Sequence, residues 1–199
     1  NDHSDGSNDD SIEAGDGNDS VVAGDGADTV GGGNDAGADT ILGGAGNDLI
    51  NGQGGNDSID GGADDDSIAA GAGDDFVTGG SGNDSINGGI GTDTLDGGTG
   101  ADLISGAGGG DSILGGDDAD TIMLFDGYGA DTIAGGEGGV DADVLDASWI
   151  GADLELDLSA NGAADNESGT LTSTTAGDVA GFTAIESVVL GSGDDSVTG

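Results

Sequence analysis

The chain has 199 residues, of which 48 are Gly and 42 are Asp or Glu, with no Lys, Arg, Pro or Cys, so its formal charge is −42. Leu, Ile, Val and Phe together number 38, and so little apolar surface under so much like charge describes a chain that does not offset its own conformational entropy. With no cation beyond His3 it has nothing to neutralise nucleic-acid phosphates or anionic headgroups, the absence of Cys excludes disulfides and thiolate sites, and no apolar run approaches the roughly 18 residues of a membrane span.

The sequence opens at Asn1 with neither Met nor a signal-like segment, as expected of a mature or excised piece of something larger. His3, in a terminus expected to fray, reads as a surface residue. From residue 10 onward the tripeptide Asp-x-aliphatic recurs, first with Asp10, Asp19 and Asp28. It continues with Asp39, Asp48, Asp57, Asp66, Asp75, Asp84, Asp93, Asp102, Asp111 and Asp120, every step in this run being nine residues, and then with Asp131 and Asp143. The steps into Asp39 and Asp131 are eleven and that into Asp143 is twelve, so extra residues are expected to bulge from single turns without destroying register. Fifteen of the 37 Asp thus share one position.

Each period predicts a Gly-rich turn followed by a very short strand. The Gly pairs supply φ > 0 for the turn. Ile50, Ile59, Ile68, Val77, Ile86, Leu95, Ile104, Ile113 and Ile122, two places after the Asp and mostly β-branched, occupy the strands, with their neighbours pointing the other way. Asn8, Asp64 and Asp118 replace a Gly with types that tolerate φ > 0 and are expected to keep the turn; Gln53 and Ala107 do not, and their turns are the ones expected to deviate.

Beyond the regular run, residues 119–139 gather Met123, Phe125 and Tyr128. In 141–159, Leu154, Leu156 and Leu158 alternate with Glu155 and Asp157, predicting a longer strand that closes the open end of the stack, with Trp149 as plug. Residues 160–180 read as a polar loop with one short strand around Leu171; a strand follows at 185–190, and GSGDDSVTG (191–199) begins the pattern again with Asp195 in the repeated position.

The units GGAGNDLIN (43–51), GGSGNDSIN (79–87), GGIGTDTLD (88–96) and GGTGADLIS (97–105) share the formula G-G-x-G-x-D-x-U-x, U being a large aliphatic residue. Over residues 5–145 the chain resembles the RTX, haemolysin-type calcium-binding repeat family. The resemblance implies an all-β, right-handed parallel β-roll in which two nonamers make one 18-residue coil, with a β-roll over 1–145, a β-rich cap or linker over 146–190 and the start of a further repeat at 191–199. It also implies calcium between successive turns on one edge, held by carboxylates of Asp residues 18 apart and by backbone carbonyls at the Gly positions, here Gly44, Gly46, Gly62, Gly80, Gly82, Gly89, Gly91, Gly98 and Gly100. The pairs so spaced are Asp39/Asp57, Asp48/Asp66, Asp57/Asp75, Asp66/Asp84, Asp75/Asp93, Asp84/Asp102, Asp93/Asp111 and Asp102/Asp120, with Asp10/Asp28 a further one. About eight to ten Ca2+ ions are expected, since an oxygen-only set of this kind suits calcium and the dehydration it demands is resisted by Mg2+.

The function expected is that of an extracellular, non-enzymatic calcium-binding module that folds when calcium removes the repulsion between Asp rows. The parent is expected to be a bacterial surface layer, filament or adhesin, the alternative being a toxin or hydrolase secreted by a type I system. Partners would be calcium and copies of the chain packed head to tail, or adjacent repeat blocks, with no nucleic acid and no membrane insertion. Asp60, Asp96, Asp117 and Glu137 read as surface acids. Paired carboxylates serve glycosidases, but here they lie on a regular edge, and the third turn position carries no Thr row of the ice-binding kind.

Overall fold

The computed structural model describes residues 2–3, 9–136, 142–157, 169–173 and 178–198; Asn8, Glu137, Leu158 and most of the loop expected at 160–180 lie outside them. Every element among the described residues is a strand. One sheet stacks β1 (Asp2–His3), β3 (Ser20–Asp25), β5 (Thr40–Ala45), β7 (Ser58–Ala63), β9 (Phe76–Ser81), β11 (Thr94–Thr99), β13 (Ser112–Asp117) and β15 (Thr132–Ala134) in that order. The facing sheet stacks β2 (Ser11–Glu13), β4 (Thr29–Gly31), β6 (Leu49–Asn51), β8 (Ser67–Ala72), β10 (Ser85–Gly91), β12 (Leu103–Gly109), β14 (Thr121–Met123) and β16 (Val144–Asp146). The chain crosses between sheets at every turn, so all these neighbours are parallel. The result is a β-solenoid of about seven coils with roughly 18 residues each.

Register follows the repeat. Ile59 lies beside Val77, Val77 beside Leu95 and Leu95 beside Ile113, each 18 residues on. Where a step is longer the offset grows, but the aliphatic row stays aligned: Val21 pairs with Ile41, Ile113 with Ile133, and Ile122 with Leu145. The two inward rows are buried throughout and form one core cluster. A solenoid explains how so few aliphatics suffice, because each coil needs only one from each sheet and is covered by its neighbours above and below.

In β3, β5 and β7–β13 the strands are longer than the aliphatic triplet, whereas β2, β4, β6 and β14–β16 are triplets. In β7 the buried positions are Ile59 and Gly61, so in the longer strands the first turn position is part of the strand and faces the core. Positive φ belongs instead to the second and fourth turn positions, as at Gly62 (116°), Gly80 (118°) and Gly82 (134°). Gln53 (72°) and Ala107 (65°) adopt it too, as Asp64 (76°) and Asp118 (77°) do, so the turns expected to deviate keep the common shape. Stacking coils on both sides over-determines the turn, and the residue bears the strain. Ala107→Gly is therefore expected to raise the stability of the calcium-loaded chain by about 0.5–1 kcal/mol, read as a higher thermal midpoint in calcium.

Past β16 come β17 (Leu154–Asp157), β18 (Gly169–Ser173), β19 (Val179–Thr183), β20 (Ser187–Val189) and β21 (Ser196–Thr198). Here β19 adds a parallel strand beside β15 and β20 one beside β16; β18 and β17 then continue the first sheet antiparallel, and β21 lies parallel to β17. Trp149 is not the plug: it is 67% exposed and tilts against Phe125, with ring centroids 6.4 Å apart. It sits in the turn after β16, where Ala147 and Ile150 take the interior. Tyr128 and Phe182 are buried instead, the Tyr128 hydroxyl lying 3.2 Å from the carbonyl oxygens of both Leu171 and Asp178.

Candidate metal centre

Because Asp precedes each strand by one residue, alternate repeats deliver their Asp to opposite edges of the solenoid. One edge carries Asp19, Asp39, Asp57, Asp75, Asp93, Asp111 and Asp131; the other carries Asp10, Asp28, Asp48, Asp66, Asp84, Asp102, Asp120 and Asp143. Within each column the backbone N–H of one Asp donates to Oδ1 of the Asp one coil later, at 2.7–3.0 Å. All nine pairs expected from spacing are brought together. Four more, Asp19/Asp39, Asp28/Asp48, Asp111/Asp131 and Asp120/Asp143, span the longer steps.

That hydrogen bond uses one carboxylate oxygen. The other, Oδ2, is buried with no hydrogen-bond partner at Asp19, Asp28, Asp48, Asp57, Asp66, Asp75, Asp84, Asp93, Asp102, Asp111 and Asp131. A buried anionic oxygen without a donor is costly, and the chain holds no Lys or Arg to supply one. Burial accordingly pushes the carboxyls of Asp57 and Asp93 up to about 6 and those of Asp66, Asp102 and Asp131 up to about 7; backbone donors work against this, and neighbouring column Asp add to it. Asp178 contributes to the rise at Asp131 alongside Asp111.

The first Gly of the turn seats the carboxylate. A methyl group at Gly61 would lie 2.5 Å from Asp66 Oδ2 and 2.6 Å from the Gly79 carbonyl oxygen. Gly61→Ala is thus expected to displace Asp66, raise the calcium needed for folding and cost about 1–3 kcal/mol in calcium, whereas Gly151→Ala, in open space, is close to neutral; calcium titrations of the two variants check this. The nine glycines expected to offer carbonyls all have φ between 107° and 150°. In their stacks the carbonyls run along the edge: a methyl at Gly62 would collide with the Gly44 oxygen, one at Gly80 with that of Gly62, and one at Gly98 with that of Gly80.

A hard cation fits this donor set. Among the described residues no three acidic or histidine side chains converge, so a cation held here would take two carboxylates and the remaining oxygens of a 6–8-fold shell from backbone or water. Calcium would supply positive charge to offset the Asp columns; the chain supplies paired carboxylates held by backbone donors and turns curled by glycine.

Two features were not read from the repeat, and one that was read, Asp195, has another partner than expected. The fifth turn position forms its own exposed ladder, in which Asn83 N donates to Asp65 Oδ1 (2.7 Å), Thr92 N to Asp74 Oδ1 (2.9 Å) and Ala101 N to Asn83 Oδ1 (3.0 Å); its run of Asn and Asp was the available signal. Glu186 stands where the next Asp of the second column belongs, accepting from Asp143 N at 2.6 Å, and Glu186-Ser187-Val188 is an acid-x-aliphatic triplet. Asp195 does enter a ladder bond, but its donor is Leu154 N (2.9 Å), so the coil beside it offers no column Asp.

A profile of the RTX calcium-binding nonapeptide repeat matches the chain in four stretches, residues 4–36, 33–68, 60–95 and 87–122. No match appears among curated proteins. RTX repeats bind Ca2+, and the matched stretches are the ones that build the solenoid and most of both Asp columns. By repeat, by coil and by the residues matched over more than half its length, the chain belongs to the RTX calcium-binding nonapeptide repeat family.

Proposed function

We propose that the column Asp residues and the turn carbonyls hold calcium, and that the chain is a non-enzymatic extracellular rod which folds outside the cell and serves a bacterial surface layer, filament or adhesin. The observation that carries this reading is the row of buried, unpartnered Oδ2 atoms in a chain without Lys or Arg. Millimolar calcium outside a cell satisfies them, and the far lower concentration inside keeps the chain unfolded for export, here assigned to a type I system. The non-enzymatic reading is supported by the placement of the paired carboxylates in columns, while the grooves lined by Leu114, Ala134, Gly181 and Thr183 contain one acid, Asp117.

The rod role draws support from β21, an edge strand whose Val197 is 60% exposed at a position where the repeats bury their aliphatic residue. A following repeat block or a second copy stacked head to tail covers it. Electron microscopy of the chain in millimolar calcium tests the assembly: fibres or sheets that dissolve in chelator are expected, and isolated monomeric particles at every concentration overturn the head-to-tail arrangement.

A further inference from the structure

On the first edge the Asp column breaks where the repeats end. Pairing of Thr132 with Gly181 sets Ala180 level with Asp131, in the place that earlier coils give to Asp, and Ala180 is fully buried. Two residues earlier stands Asp178, whose Oδ2 is buried without a hydrogen-bond partner. Asp131 is 3% exposed; its Oδ1 accepts from Asp111 N and its Oδ2 is likewise unpartnered. The parallel pairing of β15 with β19 lays the segment that carries Asp178 beside the one that carries Asp131, and Asp178 adds to the rise at Asp131.

The backbone around them is fixed. Val179 N donates to Gly129 O and Gly181 N to Asp131 O, both at 2.9 Å, Ser173 N donates to Asp178 O at 2.9 Å, and the Tyr128 hydroxyl reaches the same carbonyl. Two neighbouring carboxylates with buried, unsatisfied oxygens repel unless a cation joins them. No side chain supplies it: the chain lacks Lys and Arg, and its one His belongs to β1 at the opposite end of the sheet.

We infer that Asp131 and Asp178 form a calcium site outside the nonapeptide pattern, which clamps the β18–β19 hairpin to the last coil. The site rests on the reading that the Asp columns bind calcium, and it extends that chemistry into a segment beyond the matched repeats. Its carboxylate comes from two residues before the usual position because Ala180 leaves the usual one vacant of acid.

The test is the number of Ca2+ ions bound by the full chain at saturation, measured by equilibrium dialysis, together with amide exchange in calcium. Asp178→Asn is expected to bind one ion fewer than the unsubstituted chain and to lose about tenfold protection in β18 and β19 that more calcium does not restore, while β8–β11 stay protected. Asp66→Asn serves as the reference within the columns. An unchanged count for Asp178→Asn, with or without a loosened hairpin, overturns the inference if Asp66→Asn loses an ion. If neither variant changes the count, the column reading falls and this site falls with it.

Discussion

Asp66→Asn is expected to weaken the calcium-loaded chain and to spare or even favour its calcium-free form. Asp66 lies mid-column, accepting from Asp48 N and donating its own N–H to Asp84, so it belongs to two successive pairs. Asn keeps an oxygen for Asp48 N but removes a buried charge, so one or two ions are lost and the calcium midpoint of folding rises. In chelator the same change relieves a carboxylate whose proton affinity burial has already raised. Asp66→Ala also strips the acceptor from Asp48 N and is expected to cost about 1–3 kcal/mol more. Asp60→Asn, on the exposed outer face of β7, should shift neither quantity. Calcium titrations of the three variants, followed by circular dichroism with matched chelator samples, separate these effects.

Acid should fold the calcium-free chain. From the ordinary carboxyl value of 3.8, folding raises Asp57 and Asp93 to about 6 and Asp66, Asp102 and Asp131 to about 7; Asp48, Asp75, Asp84 and Asp111 also rise, burial being the largest cause throughout. The folded state therefore binds more protons than the unfolded one between those limits. Its stabilisation is fully present below the unfolded value and is lost as pH climbs through the folded values. In chelator, lowering the pH from 8 toward 4 should bring strand signal that is absent at 8, the reverse of ordinary acid denaturation. With calcium present, protons compete for the same oxygens, so the calcium midpoint should rise as pH falls from 8 to 6. A chain equally unstructured at pH 4 and pH 8 without calcium would contradict the buried placement of the columns.

Much of this was legible because a solenoid makes sequence neighbours into spatial ones. The nine-residue phase places Ile59 beside Val77 and Asp57 beside Asp75 with no knowledge of distant contacts. The steps of eleven and twelve were readable as bulges for the same reason, since a coil gives way in its turn before its strand slips. What could not be read lies where contacts are not periodic. Gln53 and Ala107 take a conformation their own chemistry disfavours, because the coils on either side dictate it. Trp149, the largest apolar residue, reads as the natural plug, yet Tyr128 is buried because its hydroxyl finds two carbonyls, 43 and 50 residues away. Asp178 is brought beside the segment of Asp131 by a pairing 49 residues apart, between Thr132 and Gly181, that no repeat announces. Asp195 has the right local motif, but the strand beside it brings Leu154, which only the cap's topology determines.

We propose calcium-dependent folding on the composition, the orphaned carboxylate oxygens and the family together. The most direct check is far-ultraviolet circular dichroism of the chain at pH 7.5, titrated from excess chelator into millimolar calcium. A disordered spectrum in chelator that converts cooperatively and reversibly to a strand-rich one is predicted, with magnesium failing to substitute. A strand-rich spectrum that persists unchanged in chelator, or a chain that stays disordered in saturating calcium, would contradict it.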